Sequence, residues 1–105
     1  MSGFYKFPAM ALPDGHSRID QMGKLFSETD EVDKARRELA LAYDFCDDRD
    51  EIEMYRTAYG MELMDVIHAT ETALRMEFGD DEVIALQLKV VEKNRRRGYY
   101  GKDEK

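Results

Sequence analysis

An all-α fold is predicted for this chain, and three observations predict it. Only 2 prolines occur, and both lie within the first fifteen positions. Two long stretches carry apolar residues at three- and four-residue steps, the spacing that lines one face of a helix. Those stretches also lack the alternating β-branched pattern of a half-buried strand. The expected architecture is an antiparallel helix hairpin plus a C-terminal helix, forming a four-helix-bundle-like core by oligomerisation.

The 105 residues make one domain with a modest core. A formal charge of −7 argues against nucleic acid as a partner, because phosphate backbones are read by basic surfaces. The single Cys46 cannot form an internal disulfide and fits a reducing cytoplasm. Lys6 and Pro8 interrupt the apolar start, so no signal peptide is expected. No run is long enough to cross a membrane.

Residues 1–16 read as an N-terminal arm in which Phe4, Tyr5 and Phe7 pack on the bundle rather than stack on a base. Residues 17–100 form the helical domain, and 101–105 a frayed tail. Ser17-Arg18-Ile19-Asp20 has the spacing of a capping box, with Asp20 in place of Glu or Gln. From there the first helix runs to about Phe45, its apolar stripe made of Leu25, Val32, Ala35, Leu39 and Ala42. Cys46-Asp47-Asp48-Arg49-Asp50 breaks the pattern and offers N-caps for the second helix, about Asp50 to Phe78. This helix has two apolar sides: Met54, Ala58, Met61, Ala69 and Met76 on one, and Tyr59, Leu63, Val66, Ile67 and Leu74 on the other. A helix apolar on two sides is buried on two sides. Gly79 is expected to end it, and the last helix starts at Asp80-Asp81 with Val83, Ile84, Leu88, Val90 and Val91 as its stripe.

Four acids break the amphipathic rule. Glu28 falls within the stripe of the first helix and Glu31 at its edge, while Glu62 and Asp65 lie among the apolar residues of the second. Within each pair the two acids are three residues apart, so both face the same way. In an antiparallel hairpin, residues symmetric about the hinge lie at equal height. The Cys46–Asp47 bond is the centre of symmetry for Glu31 with Glu62 and for Glu28 with Asp65. Four carboxylates are therefore expected to converge, at a cost in repulsion and lost hydration unless a cation joins them. Such an all-oxygen set suits Mg2+, with Mn2+ as the alternative, and not zinc. His68 is read as a packed or solvent-facing histidine and His16 as a surface residue. The C-terminal helix ends in a basic run, Lys89, Lys93, Arg95, Arg96 and Arg97. It is denser than complementing the helix dipole requires, and it points to a phosphorylated ligand.

Glu28-Thr29-Asp30-Glu31, then Glu62-Leu63-Met64-Asp65, then Glu92-Lys93-Asn94-Arg95-Arg96-Arg97-Gly98-Tyr99-Tyr100 together resemble the MazG-like branch of the all-α nucleoside triphosphate pyrophosphohydrolases. That superfamily, which includes the dimeric dUTPases, is defined by an E-x-x-E and an E-x-x-D pair on neighbouring helices. The resemblance covers about residues 18–100 and is nearest to small phage- or prophage-encoded members. The 30 residues between Glu31 and Glu62 are a long connection for that family, so the hairpin carries extra turns. Ala69 leaves the position one turn after Asp65 without a polar or aromatic side chain.

The resemblance implies magnesium held by Glu28, Glu31, Glu62 and Asp65, and triphosphate contacts from Lys93, Asn94 and Arg97. The activity it implies is hydrolysis of a nucleoside triphosphate at the α-phosphorus, giving the monophosphate and pyrophosphate. Glu28 or Glu31 would activate the water, and the protein would be a homodimer or a dimer of dimers. The competing expectation is a non-catalytic acidic helical phage protein that binds a basic protein partner.

Overall fold

A computed structural model describes residues 3–101 as three helices and an extended N-terminal arm. Helix α1 spans Arg18–Phe45, α2 Arg49–Glu77 and α3 Asp80–Arg96. The tail residues 102–105 and the first two residues of the arm lie outside the described residues. Among the described residues, no helix is long and apolar enough to cross a membrane.

Helix α1 begins at the expected cap. Ser17 Oγ accepts from Asp20 N at 3.1 Å, and Asp20 Oδ2 accepts from Ser17 N at 3.0 Å. The Ser17 backbone N–H, and after it the Ser17 side chain, hold the Asp20 carboxyl below its ordinary pKa. Ser17→Ala removes one half of the reciprocal pair and is expected to cost about 1 kcal/mol, read as a lower urea midpoint at unchanged slope. Gly23 does not break α1, which is continuous through it. The turn to α2 is only Cys46–Asp48, with Asp48 Oδ1 accepting from Asp50 N at 2.9 Å.

The two long helices pack along a seam written into the sequence at steps of three and four, alternating throughout α1 and, in α2, as far as Ala69. On α1 the covered positions are Gln21, Leu25, Glu28, Val32, Ala35, Leu39 and Ala42. On α2 they are Ile52, Tyr55, Tyr59, Glu62, Val66, Ala69, Thr72 and Met76. That spacing is the period of a coiled helix pair. The buried apolar residues of the seam are small: Ala35, Ala42 and Ala69. Small side chains let the backbones approach, and there is little bulk to form a deep core.

The seam corrects the expected division of α2. Ala69 and Met76 lie on or beside the seam with α1, whereas Met54 and Met61 face outward at 59 % and 64 % exposure. Leu63 and Ile67, expected beside Val66, are also partly exposed, at 40 % and 37 %. Helix α1 has an outer apolar set of its own in Ile19, Met22, Phe26, Leu41 and Phe45.

Gly79 does not end α2 in the expected way. Its φ is −79°, it serves as the N-cap of α3, and its N–H donates to Glu82 Oε1 at 2.9 Å. Phe78, in extended conformation, closes α2. The left-handed glycine belongs instead to the end of α3. Gly98 has φ +78° and donates to the Arg95 carbonyl, while Tyr99 N donates to the Asn94 carbonyl. This is the paired closure of a Schellman motif. Along α3, Val83 is buried at 1 % exposure, but Leu88 and Val90 of the expected stripe are exposed.

The arm lies on α2, as its aromatics suggested. The Glu71 carboxylate, 3 % exposed, accepts from Lys6 N at 2.7 Å and Phe7 N at 3.0 Å. One turn on, Arg75 donates to the Phe7 carbonyl at 2.8 Å, and its guanidinium sits 4.0 Å over the Tyr5 ring. Phe7 stacks on His68 at 4.5 Å. Residues 13–16 then turn tightly into α1: His16 N donates to the Pro13 carbonyl, and Gly15 takes the positive φ that the third position of a type II turn requires.

Candidate metal centre

The seam carries acids where it should carry leucines. Glu28 and Glu62 occupy seam positions and are half-buried; Glu31 and Asp65, three residues on from each, are exposed at its edge. One carboxylate oxygen each from Glu28, Glu62 and Asp65 lies within 4.8 Å of the others. Among the described residues this is the group of His, Cys, Asp and Glu side chains close enough to share one metal ion. Glu31 falls outside that set of three, so four expected ligands become three with a neighbour. It remains near enough for its charge to act on Glu62.

The electrostatics follow from this placement. The Glu62 carboxyl is pushed above its ordinary pKa, first by lost hydration and then by the charges of Asp65, Glu31 and Glu28. Glu28 escapes part of that strain through Lys24, whose ammonium lies 2.8 Å from Glu28 Oε2. In return Lys24 is held above its own ordinary value by Glu28 and, more weakly, by Asp65. A lysine one turn before an acid is a common surface pair. Here it reaches a carboxylate that is only 13 % exposed.

Beside the acids a groove of about 430 Å³ opens between the arm and the hairpin. Glu28 and Asp65 line one part of it, Met10, Leu12 and Pro13 of the arm another, and His16, Gln21 and His68 a third. His16 is therefore not the plain surface residue expected, since its Nε2 lies 2.8 Å from Gln21 Oε1. Gln21 itself went unnoticed in the sequence reading. It stands one seam step before Leu25 and Glu28, so the heptad, extended one step towards the N-terminus, would have found it.

The basic end of α3 is elsewhere. Lys89, Lys93, Arg96 and Arg97 line a separate open groove of about 580 Å³ with Leu88 and Glu92, and it shares no residue with the acidic one. Asn94 is not among its lining residues; its carbonyl is used in closing the helix. Glu92 accepts from Arg95 at 2.7 Å and Arg96 at 3.1 Å, which lowers the Glu92 pKa. The three expected phosphate-binding residues are thus not brought beside the carboxylates by any described contact within one chain. No family model, curated protein or solved structure matches the chain.

Proposed function

We propose that the chain is a Mg2+-dependent hydrolase that cleaves nucleoside triphosphates at the α-phosphorus, giving the monophosphate and pyrophosphate. The carrying observation is the convergence of Glu28, Glu62 and Asp65 within 4.8 Å at the helix seam. Three carboxylates without nitrogen or sulfur ligands fit a hard divalent cation, Mg2+ before Mn2+. The resemblance of both acidic pairs and the basic run to MazG-like enzymes supports the same reading. Magnesium, when bound, supplies charge neutralisation for the phosphates and acidifies a water. Glu28, already paired with Lys24, is a ligand more than a base. Glu31, outside the three-acid set and exposed, has its oxygens available to orient the attacking water and take its proton.

A melting curve with and without Mg2+, together with a pyrophosphate-release assay over nucleoside triphosphates, tests this reading. Metal binding to the folded state alone raises the melting temperature by linkage. The effect should also depend on pH. Because the Glu62 pKa is raised above its ordinary 4.5, this group favours the folded state at lower pH. That contribution is lost as pH rises through the folded value. Protons and Mg2+ compete for the same oxygen, so stabilisation by Mg2+ should weaken as pH falls through the raised Glu62 value. The Lys24–Glu28 ion pair favours a second reading, in which the acids are partly self-neutralised and the chain is an acidic helical protein that binds a basic partner. A melting temperature indifferent to Mg2+, with no pyrophosphate released, selects that reading.

Assembly belongs to the same proposal. Met54 and Met61 on α2, and Leu88 and Val90 on α3, are exposed in the single chain. Burying a side chain of this size contributes about 1.5–3 kcal/mol, which favours at least a homodimer over exposure. A second copy would also offer a way for Lys93 and Arg97 to reach the phosphates. Light scattering at micromolar concentration should give twice the chain mass or more, and a monomer that still hydrolyses substrate would exclude this. Neutralising Lys93 and Arg97 together should weaken triphosphate binding about tenfold or more and monophosphate binding less. Equal losses would move both residues out of the site.

A further inference from the structure

Hydrogen bonds identify the donor nitrogen of two imidazoles in the arm groove. Gln21, 3 % exposed, donates from Nε2 to the Ala69 carbonyl at 2.9 Å. A carbonyl only accepts, so the amide orientation is fixed and Oε1 faces His16. The His16 Nε2 at 2.8 Å must then carry the proton, and in the neutral ring the lone pair sits on Nδ1. His68 reaches the same state by another route. Its Nε2 lies 3.3 Å from the Pro8 carbonyl while the ring stacks on Phe7, which again leaves Nδ1 as the acceptor. Both rings line the one groove that also contains Glu28 and Asp65.

We propose that this groove seats the base of the nucleotide, with the Nδ1 atoms of His16 and His68 as the acceptors for an N–H edge of the ring. The assignment rests on the nucleotide reading and extends it to what selects the substrate. The arm side of the wall is apolar, where Met10, Leu12 and Pro13 offer a face to a flat heterocycle, while Lys24 and Thr72 add polar groups on the hairpin side. A volume of about 430 Å³ lies in the range of small-molecule sites. The carboxylates open from the same groove, so a base seated against the arm points its phosphates at the metal ligands. Acceptors fixed before binding reject a ring edge without a matching donor more strongly than an apolar slot can. Glu71 and Arg75 are positioning residues here, because they hold residues 6 and 7 and so place the wall that follows.

The test uses the whole protein without metal. Long-range 1H–15N imidazole spectra would be recorded with adenosine, cytidine, guanosine and uridine in turn, and with ribose as a control. The free protein should show both rings as Nε2–H tautomers, and one or more nucleosides should shift the Nδ1 signals where ribose does not. Absence of any such shift overturns the assignment. Steady-state rates then separate this proposal from the one beneath it. His16→Ala should raise KM for the preferred triphosphate about five- to tenfold and flatten the preference among bases. His68→Ala, further from the helix cap, is the second variant should the first lose its fold. Pyrophosphate release whose base preference ignores both variants overturns the base pocket and leaves the hydrolase standing. Nucleoside-dependent shifts without any pyrophosphate release uphold the pocket and overturn the hydrolase.

Discussion

Glu62→Gln and Asp65→Asn are each expected to lower Mg2+-dependent turnover by at least about a hundredfold while leaving helical circular dichroism nearly unchanged. Both substitutions keep the volume and remove one charge. The helices lose no packing, because Glu62 is half-buried at the seam and Asp65 lies exposed at its edge. What they lose is the charge and one oxygen of one of three carboxylates gathered within 4.8 Å. Stability without metal should move the other way. Glu62 is held above its ordinary pKa by lost hydration and by three neighbouring acids, so a neutral amide relieves repulsion the folded chain otherwise sustains. A variant with a higher metal-free melting temperature, no response to Mg2+ and no turnover is the expected signature. Unchanged activity in both variants would end the assignment of the site.

Glu71→Leu carries the largest expected cost in stability. The native carboxylate is 3 % exposed and accepts from two backbone N–H groups of the arm. Leucine fills the space but leaves both donors without a partner, at about 1–3 kcal/mol for each buried group left unsatisfied. A loss of about 3 kcal/mol is expected if the arm stays in place. The alternative for the chain is to release the arm into water, which caps the global loss and exposes residues 4–12 to protease. Urea unfolding together with limited proteolysis distinguishes the two. Glu71→Gln retains one acceptor oxygen and should fall between. A variant as stable and as protease-resistant as the parent would mean that the arm is held by Phe7, Tyr5 and Arg75 without Glu71.

The helices were legible because each boundary has a local chemical cause. Ser17 with Asp20, and Asp48 with Asp50, are caps whose partners lie within three residues. The meeting of Glu28 with Asp65 and Glu62 was legible too, because equal rise in two antiparallel arms fixes which residues oppose. Which side of α2 faces α1 was not. Both sides are apolar enough to be buried, and only the three-four alternation through Glu62, Val66 and Ala69 distinguishes the seam from the outer face. Glu71 was missed because its partners are backbone N–H groups of a distant irregular segment, which no side-chain spacing records. Gly79 was misread because glycine, though commoner just past a helix end, also serves at a helix start. The choice depended on Glu82 reaching back to its N–H.

The hairpin beyond the acids behaves as a ruler with no chemistry marked on it. Helices α1 and α2 continue some fourteen residues past Glu31 and before Glu62, about 20 Å of paired rod, and meet at a turn of three residues. A single residue inserted into one arm there would rotate everything between it and the turn by about 100°, stripping the distal seam of its register. The acids would keep their places only if the proximal packing outlasted that mismatch. Removing a full turn from both arms together, about seven residues in all, brings seam back onto seam. Shortened chains of this kind should therefore keep the carboxylates together while chains with unpaired deletions lose them. Length in this part of the molecule is free to vary in steps of whole turns, and in no smaller unit.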